Sequence, residues 1–185
     1  WIEEATEKRG LLNYRTTPDC MPHLLDEKNV RMLISHKVFS ESELKSRCEI
    51  MLENYCKTVL IEANTMIDMA KTEIAPAVSE YVGELANTVT AKKSAESSIS
   101  CSYETGLLKK LAIMEDQIMI KSMELEKAVI QVQDIENITE ESYMIRDIVL
   151  SKMGELRVAC DSAETITAKK YWPFPTYEDI MFSVK

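Results

Sequence analysis

The sequence predicts an all-α protein built as an antiparallel bundle of three long helices, and three observations carry that expectation. Glycine and proline number only 4 and 5 in 185 residues, too few for the many turns of an all-β sandwich. Apolar residues recur at steps of three and four over long stretches, the spacing that lines one face of a helix. The breaks between those stretches are short and polar, which makes consecutive helices antiparallel neighbours. Hydrophobic residues are 45% of the chain and charged residues 29%, near globular norms. A chain of this length buries enough surface to hold a core without disulfide or metal staples.

Residues 1–9 read as the end of a helix stopped by Gly10. Residues 11–25 hold Pro18 and Pro22 and read as a connector. Asp26 is placed to cap a short helix through Ser35, with Val30, Leu33 and Ile34 on one face. Ser40-Glu-Ser-Glu43 has the form of a capping box, in which the hydroxyl takes a first-turn amide and the glutamate returns to the cap amide. The apolar series that follows runs from Leu44, Cys48, Leu52 and Tyr55 through Val59, Ala63, Met66, Ala70, Ile74 and Val78 to Tyr81, Leu85 and Val89. Its steps approach an eleven-residue repeat, which suits a straight helix. Pro76 removes one backbone bond and clashes with the carbonyl of Thr72, so a kink is expected and not a reversal. Lys92 and Lys93 suit the helix C-terminus.

After a Ser-rich link (94–101), a second helix spans about 102–135. Its seam is Leu107, Leu111, Met114, Ile118, Leu125, Ala128, Val132 and Ile135, broken at Lys121. Thr139 is the expected cap of a third helix over 139–170, with Glu140 and Glu141 in its first turn. Its seam is Ile145, Val149, Met153, Leu156, Cys160, Ala163 and Ile166. The tail, Tyr171-Trp-Pro-Phe-Pro-Thr-Tyr177, cannot continue a helix because its two prolines also restrict the residues before them. Tyr171, Trp172, Phe174 and Tyr177 are the candidate interface residues, since an apolar patch of this size marks a contact surface, with packing on their own bundle as the alternative. The expected division is a connector with short helices over 1–39, the bundle over 40–170 and the extended tail over 171–185. Residues 11–37 are expected to fold back over Cys48, Leu52 and Tyr55.

The net charge of −9 disfavours nucleic-acid and anionic-membrane surfaces, both of which ask for a basic face. No apolar run approaches the ~20 residues of a membrane span. The first residue is Trp1, not methionine, which suggests a piece of a longer protein. The cysteines (Cys20, Cys48, Cys56, Cys101, Cys160) have no paired or metal-type spacing and read as buried, reduced thiols of a cytoplasmic protein. His23 and His36 lack partners at metal spacing. The carboxylates Glu49, Glu53, Glu62, Asp68 and Glu73 read as a solvated helix face, with a metal–carboxylate bundle as a weaker alternative. Met51, Met66, Met69, Met114, Met119, Met123 and Met153 read as gap-filling core. Four scattered glycines cannot build a phosphate loop, and no nucleophile motif is present. No catalytic, cofactor-binding or metal residue is therefore assigned.

Three stretches add a resemblance. They are Trp1-Ile-Glu-Glu-Ala with Glu7-Lys-Arg-Gly-Leu11, Glu53-Asn-Tyr-Cys-Lys-Thr58 with Ile61-Glu-Ala63, and Ala168-Lys-Lys-Tyr-Trp-Pro-Phe-Pro-Thr-Tyr177. In order, and over essentially the whole chain, they resemble the C-terminal region of type III glutamine synthetases. The resemblance implies a parent enzyme of nitrogen metabolism that joins ammonia to glutamate using ATP and Mg or Mn. It implies an upstream catalytic domain as partner and a homo-oligomer of two stacked hexameric rings. It also implies that Lys185 is a natural end. The family's catalytic motifs do not occur here, so the chain itself is expected to be a non-catalytic helical domain with a structural or assembly role. The alternative is a free-standing helical interaction or scaffold module.

Overall fold

The computed structural model describes residues 1–182, apart from the side chains of Tyr177 and Glu178. It is all-α, and no strand occurs among the described residues. The helices are α1 (Thr17–Cys20), α2 (Glu27–Ser35), α3 (Glu41–Met69), α4 (Ala75–Ala95), α5 (Ser102–Gln133), α6 (Ile138–Met144), α7 (Leu150–Glu164) and α8 (Tyr177–Met181). Turns of π-helix stand at Glu4–Lys8, Ala70–Ile74 and Ile145–Val149, and a 3-10 turn at Met21–Leu25. The chain forms two compact units, Trp1–Ile61 with Ile130–Leu150, and Glu62–Val129 with Ser151–Lys185.

In the first unit, Gly10 adopts φ +66°, and the Leu11 amide returns to the Ala5 carbonyl. Only glycine takes this left-handed turn without strain. The stretch over 11–25 is more helical than a connector. Thr16 caps α1 by accepting from the Asp19 amide, with Pro18 in the first turn, where a missing N–H costs nothing. Pro22 opens the 3-10 turn in the same way. Asp26 precedes α2 but makes no side-chain cap; its carboxylate binds His23 Nδ1 at 2.9 Å. Helix α2 ends in a Schellman turn, Val38 N–H to Leu33 and Lys37 N–H to Ile34, with Lys37 at φ 55°. None of its residues is buried, and Met32 and Ile34 are exposed.

The capping box at α3 is present: the Ser40 amide donates to Glu43 Oε2 at 2.7 Å, and the Glu43 amide to Ser40 Oγ at 3.3 Å. The core of this unit is Leu44, Cys48, Leu52, Cys56 and Val59 of α3 with Val132, Ile145 and Val149. The 3-10 turn lies against α3, where Cys48 Sγ donates to the Met21 carbonyl at 3.4 Å. Asn137, not Thr139, caps α6: its Oδ1 accepts from Thr139 N at 2.9 Å and Glu140 N at 3.2 Å. Both residue types cap well, and the chain turns helical one residue after Asn137. Glu141 is not a solvated first-turn acid. Burial, then the nearby Glu53 carboxylate, pushes its pKa up.

In the second unit, α4 and α5 run antiparallel, since Lys71 pairs with Glu126 and Lys92 with Glu104. Helices α5 and α7 do the same, through Lys121–Glu155 and Lys152–Glu124. The core holds Ala63, Val78, Leu85, Leu111, Ile118, Leu125, Leu156 and Ala163. The α5 seam has no break: Ser122 fills the layer beside Lys121, fully buried, with Oγ donating to the Ile118 carbonyl at 2.7 Å. At Pro76 the chain stays helical. The π turn ends there, with the Ala75 amide reaching Ala70 O, and Pro76 falls in the first turn of α4. A π turn is wider than an α turn and gives the ring room; such turns are places where helices bend. Met51, Met119 and Met123 are exposed instead of filling the core, whereas Met66 and Met153 are half-buried.

Candidate interaction surface

The third long helix ends at Glu164, short of the Lys169-Lys170 pair. Thr165, Ile166 and Thr167 are β-branched and stiff at χ1. The hydroxyls of Thr165 and Thr167 instead bond back to the carbonyls of Ser162 and Ala163, both at 2.8 Å. The two lysines are therefore not terminal cations but anchors. Lys170 Nζ binds Glu84 of α4 at 2.8 Å and lies 4.6 Å from the centre of the Tyr171 ring. Tyr171 stacks on Tyr81 at 5.1 Å, and burial pushes the Tyr81 phenol up. Lys169 binds Asp179 at 2.9 Å.

Trp172 and Phe174 meet edge to face at 6.3 Å, a favoured geometry for aromatic pairs. Both are half-buried, and Pro173 and Pro175 on either side of Phe174 are exposed. Thr176 and Asp179 then form a capping box: the Thr176 amide donates to Asp179 Oδ2 at 2.9 Å and the Asp179 amide to Thr176 Oγ1 at 3.4 Å. These bonds, with Lys169, draw the Asp179 pKa down to about 2. Helix α8 exposes Ile180 and Met181, and Phe182 beyond it is 74% exposed. So Tyr171 is pinned on its own unit, Trp172 and Phe174 form one cluster, and the side chain of Tyr177 lies outside the described ones. The apolar surface extends past the four residues expected from sequence.

A four-charge cluster on the second unit has no counterpart in the sequence reading. Lys121 lies 3.1 Å from Glu124 and 2.7 Å from Glu155, and Lys152 lies 2.9 Å from Glu124 and 3.0 Å from Glu155. Hydrogen bonds to the lysines hold both carboxyl pKa values down, and those to the glutamates hold both lysines up. The signal was present as Lys-x-x-Glu on two helices. Beside it opens a cleft of about 540 Å³ lined by Gln117, Gly154, Val158 and Ser162.

On the first unit, Arg146 bridges Asp19 and Asp147, beside the ring of Tyr143. The Tyr55 hydroxyl is buried with no hydrogen-bond partner among the described residues. Tyr14 stacks on His23 at 4.4 Å, at the edge of a cavity of about 380 Å³. Trp1 and Leu12 are 88% and 76% exposed. Cys20 is exposed, unlike the other four cysteines, and burial pushes the Cys56 and Cys160 thiols up to about 11. Glu49, Glu53, Glu62, Asp68 and Glu73 are all exposed. Among the described residues no group of three or more His, Cys, Asp or Glu side chains is placed to hold a metal ion. These residues do not fit an ATP–metal site.

The fold is that of an all-α helical domain, and comparison with known proteins shows its family. The family model for the glutamine synthetase C-terminal domain matches residues 1–93. A glutamine synthetase of Butyrivibrio fibrisolvens is 32% identical over 185 residues, all of this chain and 26% of that relative. A type-3 glutamine synthetase of Dictyostelium discoideum is 27% identical over 97% of the chain and 25% of its own length. A glutamine synthetase of Bacteroides fragilis is 26% identical over 99% and 26%. The chain belongs to the glutamine synthetase C-terminal domain family, and it spans about a quarter of the length of these relatives. No helix among the described residues is long and apolar enough to cross a membrane.

Proposed function

We propose that this chain is the non-catalytic C-terminal helical domain of a type III glutamine synthetase, with an assembly role. The parent is a cytoplasmic ligase that uses ATP and Mg or Mn to join ammonia to glutamate. It works as a homo-oligomer of two stacked hexameric rings. Residues 1–39 connect to the upstream catalytic domain, residues 40–170 form the helical body, and residues 171–185 are a contact tail. The observation that carries this reading is the alignment of nearly the whole chain with a type-3 enzyme four times its length. The exposed surface at Ile180, Met181 and Phe182, next to the Trp172–Phe174 pair, supports the tail as the contact.

The test uses the parent, its form ending at Lys170, and the 185-residue chain alone. The parent forms glutamine with ATP and Mg or Mn, the chain alone forms none, and the truncated parent sediments as smaller assemblies. Glutamine formation by the chain alone overturns the non-catalytic reading. A start codon just before Trp1 overturns the parent altogether. An intact assembly after truncation, with a strongly destabilised fragment, makes the tail local core.

A further inference from the structure

Helix α5 is apolar on two opposite faces. One is the buried seam of Leu111, Ile118, Ser122 and Leu125. On the other, Ile113, Ile120 and Met123 are 60%, 53% and 50% exposed, with Asp116 and Lys127 exposed between and after them. These five residues follow one another at steps of three, four, three and four. That is the a-and-d spacing of a coiled-coil seam. A helix serving only its own core needs a single apolar stripe. Neither Asp116 nor Lys127 has an ion-pair or hydrogen-bond partner among the described residues.

We propose that this stripe pairs with the same stripe of a second copy of the chain, antiparallel, about a two-fold axis between Lys121 and Ser122. Such an axis makes the contact self-complementary, and antiparallel helices stack a positions on d positions. Ile120 then meets the second copy's Met123, and Asp116 meets the second copy's Lys127. Each contact occurs twice. The charges choose this register over its neighbours. Moving the axis one layer toward the helix N-terminus sets Ile120 on Asp116 and Lys109 on Lys127. A parallel, in-register pair sets Asp116 on Asp116 and Lys127 on Lys127. Like charges or a lone charge in the seam weaken both arrangements, so the pattern selects a partner and a direction as well as a surface. The ion cluster of Lys121, Glu124, Lys152 and Glu155 holds α5 and α7 beside the stripe, which presents it on a fixed support.

The inference rests on the functional reading only in taking the full-length parent as the protein to test. Wild-type parent is treated with a zero-length carbodiimide and digested. In parallel, an Asp116→Cys/Lys127→Cys parent is treated with a short bismaleimide, with wild type and both single variants as controls. Within one copy the two positions are ~16 Å apart along the helix, beyond either reagent, so a 116–127 link joins two copies. The expected result is that link in the first experiment, or a covalent dimer specific to the double variant in the second. If neither forms, the proposal is overturned, and maleimide labelling of Ile120→Cys parent then names what replaces it. Fast labelling means an open face, and blocked labelling means cover by the upstream part of the same chain. Failure of the parent to form glutamine sinks the functional reading and leaves the cross-link result standing.

Discussion

Leu111→Ala and Leu156→Ala remove the same atoms from the same unit, yet the structure predicts unequal losses. Both leucines are fully buried, at 0% and 1% exposure. Leu→Ala changes in well-packed cores cost ~2.7–5.0 kcal/mol, the spread following the hole left behind at ~24 cal/mol per Å³. Leu156 borders an open cavity of about 240 Å³ whose wall includes Met66 and Met69. Methionine is unbranched and flexible and can swing into the vacated space. Leu111 borders no such cavity among those described. The expected cost is therefore ~2–3 kcal/mol at Leu156 and ~4–5 kcal/mol at Leu111. Urea unfolding of the 185-residue chain, followed by far-UV circular dichroism, reads both as shifts of midpoint at constant slope. A larger loss at Leu156 than at Leu111 refutes the cavity argument. Losses below ~0.5 kcal/mol at both sites, as at neutral surface positions, refute the seam itself.

Four further outcomes follow from local geometry. Asn137→Ala costs ~1 kcal/mol, while Thr139→Ala, one residue inside α6, has a much smaller effect; equal losses in the urea midpoint would return the cap to Thr139. Lys37→Gly raises stability by ~1 kcal/mol, because a left-handed non-glycine residue carries ~1–2 kcal/mol of strain; an unchanged or lowered midpoint contradicts this. Glu141 has a raised folded pKa, so its ionised form opposes folding, and stability recovers as pH falls through that raised value. Glu141→Gln is accordingly neutral or stabilising at pH 7 and flattens that pH dependence. Asp179 has the opposite sign: its contribution is present above the unfolded pKa and is lost as pH falls toward its folded value of about 2. A carboxyl NMR titration of Asp179 with a midpoint near the ordinary aspartate value would show that the Thr176 cap and the Lys169 pair do not form.

The helical positions were legible because burial follows a simple period. Leu44, Leu52, Val78, Leu111, Leu125 and Leu156 all lie where spacing places a core. The misses have local causes. The α5 seam reads as broken at Lys121 because no apolar residue of the series stands between Ile118 and Leu125; Ser122 fills that layer, and its hydroxyl is satisfied within its own helix, so burial costs little. Two good caps two residues apart, Asn137 and Thr139, cannot be ranked without the backbone. Lys169 and Lys170 resemble a helix terminus and set the expected end at 170, whereas the β-branched residues before them stop α7 at Glu164. Of the candidate surface, the aromatic tail was visible as composition. The partner of Tyr171 was not, because Tyr81 is distant in sequence and nothing local points to it. The exposed second stripe of α5 is not legible from spacing, because Met123 reads as core filler and Ile113 and Ile120 fall outside the single expected seam.

The π turn at Ala70–Ile74 makes the history of Pro76 depend on order. A turn of this kind holds one residue more than the α-helix around it. Deleting a residue between the π turn and Val78 would rotate everything beyond it by about 100° and turn Val78 and Leu85 out of the core. Deleting one within 70–74 would leave that phase intact, but it would narrow the turn and drive the proline ring onto the carbonyl four residues back. Replacing Pro76 first removes that obstacle, after which the surplus residue can go. Lineages of this domain can therefore lose the proline and keep the extra residue, or lose both. Those that lose the extra residue alone should be missing among descendants that still fold.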